Sequence, residues 1–266
     1  MFDQKVKSVR ALERGIDVLL ELQRSRGRSL DELHKSLGLP KATLLRLLVT
    51  LSSRGVIWRR LADGAYMPSW QRAAVGSSDM HQRLAEIASP CLARLSEQVH
   101  WPSVIAVPRL DHVEIIETNS PLIAIDDLKL GPVGVKLSYL HTATGRAYLA
   151  ACDAQEREAI IARRRPPDAS AESDAALDEI IRSIKRRGYS TRAPSLPWQD
   201  KTQLAVKRDG RQSIAVAVMA HGQAIAAINI TWTGQRATVE QVVARCLPKL
   251  RDTARQIGSL AEAVMR

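Results

Sequence analysis

Aromatic residues are scarce in this chain. Phe, Trp and Tyr together make up 4% of its 266 residues, with a single Phe, so any core must be filled by Leu, Ile, Val and Ala. Cysteine is rarer still. Cys91, Cys152 and Cys246 are odd in number, far apart and outside any CxxC or Cys/His cluster, which supports neither a zinc site nor a disulfide framework. Long apolar runs are missing: nothing approaches the roughly 20 residues that a membrane-spanning helix needs. The first twenty residues carry Asp3, Lys5, Lys7, Arg10, Glu13, Arg14 and Asp17, which rules out a secretory apolar segment there. A soluble cytoplasmic protein with no membrane contact is expected. Catalytic signatures are absent as well, with no G-x-S-x-G elbow and no phosphate-cradling glycine loop. No metal, cofactor or enzymatic activity is therefore expected. Asn229-Ile230-Thr231 has the form of a glycosylation site, but it falls within an expected strand.

Against these absences stands an excess of positive charge. The chain carries +11 at neutral pH, with a pI near 10.0, which suits a polyanionic partner. The excess is concentrated at one end. Residues 1–75 hold 14 Lys and Arg against 7 Asp and Glu, a surplus of seven that leaves four for the remaining 191 residues. With 45% hydrophobic and 25% charged residues the composition is that of packed domains rather than of a disordered chain.

The basic end has the pattern of a winged helix-turn-helix. A first helix is expected from about Ser8 to Arg24, with Leu12, Ile16, Leu19 and Leu20 as its inward stripe. The stretch RSRGRS breaks it. Ser29, with Glu32 three residues on, forms a capping box for a second helix over Leu30–Ser36, which Gly38 stops. Pro40 opens a third helix, whose apolar face is Leu44, Leu47, Leu48 and Leu51. Thr43, Arg46, Thr50 and Ser53 then share an outward arc of about 80°. Gly55 ends this helix, and VIWRR, ADG and AYMP read as a two-stranded hairpin. A third helix of this kind can enter the major groove, with Arg46 donating to guanine and Thr43 and Thr50 touching base edges or phosphate. Lys41 and the amides that open the helix are placed for a phosphate, and Arg59 and Arg60 on the hairpin for the flanking backbone or minor groove. Together with Ser29 at the second helix's start, these residues make up the expected DNA-contacting set.

Beyond the front end, VIAV (104–107) and VEII (113–116) read as a hairpin. TATGRAYLAA and DAALDEIIRSIKRRG read as helices, the second ended by Gly188. SIAVAVMA and AIAAINITW read as two strongly apolar strands, followed by a helical region that Thr238 caps and Pro248 interrupts. Thr142, Ala143 and Thr144 fall at a helix start, where free amides favour a carboxylate, although on the residues alone plain threonine capping is the preferred account. Asn229 and Thr231 share one face of their strand, directed either to solvent or to an interior partner.

The segment from Val9 to Pro68, with "RALERGIDVLLEL" and "SLDELHKSLGLPKATLLRLLVTLSSRGVI", resembles the DNA-binding domain of the IclR family of bacterial regulators. Downstream, "LHTATGRAYLA", "IKRRGYS" and "SIAVAVMAHGQAIAAINIT" resemble segments of that family's effector domain. "VHWPSVIAV" is similar to MhpR-type members, which respond to aromatic acids. The resemblance implies an α+β chain: a winged helix-turn-helix over residues 1–75, a linker helix over 76–99 and a GAF-like effector-binding domain over 100–266. It implies a homodimer or dimer of dimers on a palindromic double-stranded DNA operator, controlled by a small organic acid. It also implies effector contacts from Thr142, Ala143, Thr144, Asn229 and Thr231, and from Ser213, where relatives often have Cys. Trp198 and Gln203 lie in a loop where the family can place an acidic contact; no acid is in register here unless Asp200 shifts. That departure speaks against a glyoxylate-like ligand and for an aromatic acid stacked on Trp198. Two other classes remain in view. A small-molecule-metabolising α/β enzyme with a basic interaction domain would need an acid/base pair beside its pocket, and a protein-binding winged helix would show weak salt dependence.

Overall fold

The computed structural model describes residues 9–25, 27–69, 80–122, 130–193 and 210–264. The chain divides into two compact units, residues 1–79 and 80–266.

In the first unit, α1 (Arg10–Ser25), α2 (Leu30–Leu37) and α3 (Lys41–Ser53) are followed by a hairpin of β1 (Ile57–Arg59) and β2 (Tyr66–Pro68). The capping box is complete. Ser29 Oγ accepts from the Glu32 amide at 3.3 Å, and the Glu32 carboxylate accepts from the Ser29 amide at 2.7 Å. Gly38 closes α2 in the left-handed region (φ 66°), and its amide donates to the His34 carbonyl. Val18, Leu22, Leu33, Leu44, Leu48 and Ile57 form one buried cluster. Removing any of these leucines to Ala would cost about 2–5 kcal/mol.

Two features depart from expectation. The loop before α2 is partly ordered into the hairpin: Arg28 exchanges main-chain hydrogen bonds with Tyr66, at 3.0 and 2.8 Å. This ties the start of α2 to the wing. The stripe of α1 is also turned round. Its buried residues are Gly15, Val18 and Leu22, whereas Leu12, Ile16 and Leu20 are exposed. The helix has two apolar arcs, and the one that bears Val18 and Leu22 faces the core, where both join the buried cluster.

The second unit is built on a six-stranded antiparallel sheet. Its strands are β3 (Val104–Pro108), β4 (Val113–Thr118), β5 (Lys136–Leu137), β6 (Ser190–Thr191), β7 (Arg211–Ala220) and β8 (Gln223–Thr233), in the order β5-β4-β3-β8-β7-β6. The helices are α4 (Met80–Val99), α5 (Ala143–Ala151), α6 (Ala154–Arg164), α7 (Ala171–Arg187) and α8 (Val239–Val264). Helices α4 and α8 pack on each other, α8 lies on β7, and α5 lies on β7 and β8 with α7 behind it. Pro248 does not interrupt the last helix: α8 runs through it for 26 residues. The flanking turns are held by buried Cys246, Leu247 and Leu250, which offsets the hydrogen bond that proline removes.

Alternation gives the sheet two unlike faces. Ala106, Ala215 and Ala227 join the cluster that contains Ala143, Ala147 and Tyr148 of α5. Residues of the opposite parity, Ile105, Ile214, Val216, Val218, Ile228 and Ile230, are bulky and buried. Glycine permits close approach on both sides. A Cβ at Gly145 of α5 would collide with the Ser138 carbonyl, and one at Gly258 of α8 with the Met219 carbonyl.

Candidate functional site

Helix α3 forms the outer surface of the first unit. Arg46 and Thr50 are exposed, and Thr43 is half-buried. The hydroxyls are turned back on the helix. Thr50 Oγ1 donates to the Arg46 carbonyl at 2.9 Å, and Ser53 Oγ donates to the Thr50 carbonyl at 2.9 Å. Lys41 pairs with Asp31 at 2.5 Å, and this contact holds the Asp31 carboxyl below its usual range. Both side chains are more than half exposed, so a phosphate could displace Asp31 at little cost. On the hairpin, Arg59 Nε donates to the Gly64 carbonyl at 3.1 Å and its guanidinium lies 5.7 Å from the Tyr66 ring centre. Arg60 binds both oxygens of Asp63, which fixes the turn. Ser29 is occupied by the capping box. The expected set is thus gathered in the helix-turn-helix and its wing, with Arg46 its most available donor.

The exposed face of α3 also contains Leu45 and Val49, which the sequence reading left out. Their presence was legible from the 100° helical step alone, which places Val49 about 60° from Arg46.

In the second unit, Asn229 and Thr231 of β8 are 7% and 4% exposed, which removes the solvent-facing alternative. Thr231 Oγ1 accepts from Asn229 Nδ2 at 3.2 Å and lies 2.9 Å from Ser213 Oγ, across the register pair Ser213↔Thr231. Asn229 Oδ1 accepts from the Val104 amide at 2.9 Å. This bond continues the β3–β8 ladder, which otherwise pairs only Ile105 and Ala106. Three residues expected in one pocket are therefore bonded together. They lie on the alanine-bearing face, since Ser213 and Asn229 share parity with Ala215 and Ala227.

The start of α5 splits into two roles. Thr142 is the cap: its hydroxyl donates to the Ser138 carbonyl at 2.7 Å and accepts from the Gly145 amide at 3.0 Å. Thr144 is buried at 1% exposure, and its Oγ1 has no hydrogen-bond partner among the described residues. Ala143 is joined to the sheet through Ser190, whose hydroxyl reaches the Ala143 carbonyl at 2.5 Å and the Ala215 carbonyl at 3.4 Å. Ala215 is in turn the register partner of Asn229. Trp198, Gln203 and Asp200 lie outside the described residues.

Two buried charged residues escaped the sequence reading. Glu117 of β4 is fully buried, with Oε1 accepting from the Thr118 amide at 2.8 Å. Arg146 is 7% exposed; Nη1 donates to the Thr191 carbonyl at 2.7 Å, and Nε has no partner among the described residues. Burial, with Arg187 nearby, pulls its pKa down to about 10, so it remains charged at neutral pH. The signal for Arg146 was present: it is the one charge in the helix ATGRAYLAA. A cavity of about 740 Å³ opens elsewhere, between α7 and α8 beside β7, lined by Ile184, Tyr189, Ala217 and Arg255 among others. None of the expected effector residues lines it, although Ala147 and Ala215 touch it. The buried hydroxyls of Thr144, Ser213 and Thr231 thus lie apart from this cavity.

Comparison with known proteins places this geometry. Residues 11–60 match the IclR helix-turn-helix domain, and residues 78–259 match the bacterial transcriptional regulator IclR C-terminal domain. The chain is 29% identical over 188 residues to the transcriptional repressor IclR of Escherichia coli, covering 68% of each chain. It is 26% identical over 257 residues to the Pca regulon regulatory protein of Pseudomonas putida, covering 93% of this chain and 82% of that one. In fold it is similar to an IclR homolog from Microbacterium hydrocarbonoxydans crystallised with 4-hydroxybenzoate. That match has a TM-score of 0.52 and 22% identity, and it covers 95% of this chain and 99% of the other. These families and relatives are transcriptional regulators, not enzymes. The helix-turn-helix, the α/β domain behind it and a family match across more than half of its length establish that this chain belongs to the IclR family of DNA-binding transcriptional regulators.

Proposed function

We propose that this regulator senses a small organic acid, of aromatic type, through Thr144 and the Ser213–Asn229–Thr231 array. The observation that carries this reading is the set of buried donors with protons to spare. Thr144 Oγ1 is unpartnered, and Asn229 Nδ2 has a second proton. The Ser213–Thr231 hydroxyl pair also uses only one of its two protons internally. Buried donors left without acceptors cost about 1–3 kcal/mol each, and a carboxylate supplies several acceptors at once. Arg146, charged within the same helix, adds a positive field that favours an anion. The neighbouring alanines present only methyl groups, so the surroundings of these donors are apolar. The names of the Pca regulon relative and of the 4-hydroxybenzoate complex support an aromatic acid.

The reading includes a homodimer that brings two helix-turn-helix units to a palindromic operator, with homodimers pairing further as an alternative. It is supported by the outward arc of α1, where Val9, Leu12, Ile16 and Leu20 are 64%, 62%, 48% and 44% exposed. A continuous apolar arc of this kind is a contact surface. Ligand would act by binding unequally to two arrangements of the dimer.

The test is calorimetric titration of the full chain with 4-hydroxybenzoate, benzoate and glyoxylate, repeated on Thr144→Val and Asn229→Ala. Binding of an aromatic acid, weakened about tenfold in both folded variants, is expected from the loss of one hydrogen bond to a charged group. Binding that both variants leave unchanged would move the site elsewhere, and preference for glyoxylate would overturn the aromatic assignment.

A further inference from the structure

Helix α3 carries bare hydrocarbon in the middle of its outer face. Val49 is 67% exposed and Leu45 is 42% exposed. At 100° per residue, Leu45, Val49, Ala42, Ser53, Arg46 and Thr50 fill one arc of about 140°. The hydroxyl protons in that arc are already spent, on the carbonyls of Arg46 and Thr50. What the arc offers a partner is one guanidinium and, immediately beside it, a ridge of methyl groups.

Resting on the reading of α3 as the DNA-contacting helix, we propose that Leu45 and Val49 recognise thymine through its C5-methyl group, next to the base read by Arg46. The thymine methyl is the apolar feature that base edges present in the major groove, and the other edge atoms are donors or acceptors. A polar edge set against Val49 would lose its water and gain no hydrogen bond, so the ridge selects against cytosine and purines as well as for thymine. Charge argues for DNA over a protein partner. Residues 1–75 hold twice as many basic as acidic side chains, and an apolar protein surface laid on Val49 would have to strip water from Arg46.

The test uses the full chain and a random-sequence duplex library. The tightest duplex is selected, and each thymidine in it is then replaced in turn by deoxyuridine, which removes the methyl and nothing else. Loss of one or two buried methyl contacts should weaken binding roughly three- to fivefold at those positions and leave the others unchanged. In Val49→Ala, and to a lesser degree in Leu45→Ala, the same replacements should have no effect, because the partner surface is gone. Both variants alter exposed helix positions, and circular dichroism checks that they fold. Uracil tolerated at every position, or an equal penalty in wild type and variants, would overturn the inference. If Arg46→Ala still abolishes selectivity in that case, the DNA reading of α3 stands without it. Failure to select any sequence would sink the DNA reading and this inference together. A changed sedimentation coefficient in Val49→Ala would reassign the ridge to contact between copies of the chain.

Discussion

On α3 the proposed contact residues stand in water and spend their hydroxyl protons on their own helix, whereas Ser213, Asn229 and Thr231 are more than nine-tenths buried, bond to one another and keep protons to spare. The difference follows from what each site meets. DNA is a rigid external surface, so its reader can be an exposed face whose specificity lies in shape and a few donors. A small acid must be enclosed, so its receptor has to be an interior whose polar groups are provisionally satisfied without it. In the first case function and stability sit on opposite sides of a helix. In the second they would share atoms: Asn229 holds β3 through the Val104 amide and belongs to the proposed acid site.

Three experiments press on this contrast. The largest effect is expected from Gly145→Ala, whose new Cβ would collide with the Ser138 main chain. Over-packing against backbone should cost about 3 kcal/mol. Denaturation followed by a probe in each unit should show the loss in the second unit only; an equal shift of both transitions would mean the two fold as one. Next comes the same substitution made in both sites. Thr231→Val leaves Asn229 Nδ2 and Ser213 Oγ without their partner and should destabilise by about 2 kcal/mol. Thr50→Val, at an exposed position, should stay within about 0.5 kcal/mol. Equal costs would dissolve the distinction drawn here.

The smallest effect concerns the capping box. Ser29→Ala should cost about 1 kcal/mol. It should also flatten the acid limb of the stability curve. The hydrogen bonds from Ser29 hold the Glu32 carboxyl below its usual value of 4.5, so Glu32 supports the fold at neutral pH and stops doing so as the pH falls through that lowered value. Urea midpoints measured between pH 3 and pH 6 would show whether wild type and variant converge in acid.

Much of the first unit was legible because its signals are local. Ser29, Glu32 and Gly38 fix α2 by contacts within a few residues, and the turn after Arg60 fixes the hairpin. The orientation of α1 was not legible, since the helix carries apolar residues on two arcs and only the neighbours choose between them. The bridge from Arg28 to Tyr66 spans 38 residues and has no side-chain signature at all. In the second unit, period two put Asn229 and Thr231 on one face, but burial depended on α5 lying over it. Glu117 lay one residue beyond the expected strand 113–116, and Arg146 was passed over although it is alone among apolar neighbours. A charge is easily assumed to find water, and only packing shows that it does not.

The two-faced sheet has a further consequence. Isoleucine and valine on the α8 side form a supporting wall, and shortening any of them would open a void in it. Alanine on the α5 side forms a thin seam packed on Ala143 and Ala147, where a gained or lost methyl alters the fit of α5 and leaves the wall as it was. Under the proposed sensing role, a chain of this design could be refitted for molecules of another outline by exchanging the seam one side chain at a time. The capacity for new specificities then resides in the smallest residues of the sheet rather than in its polar ones.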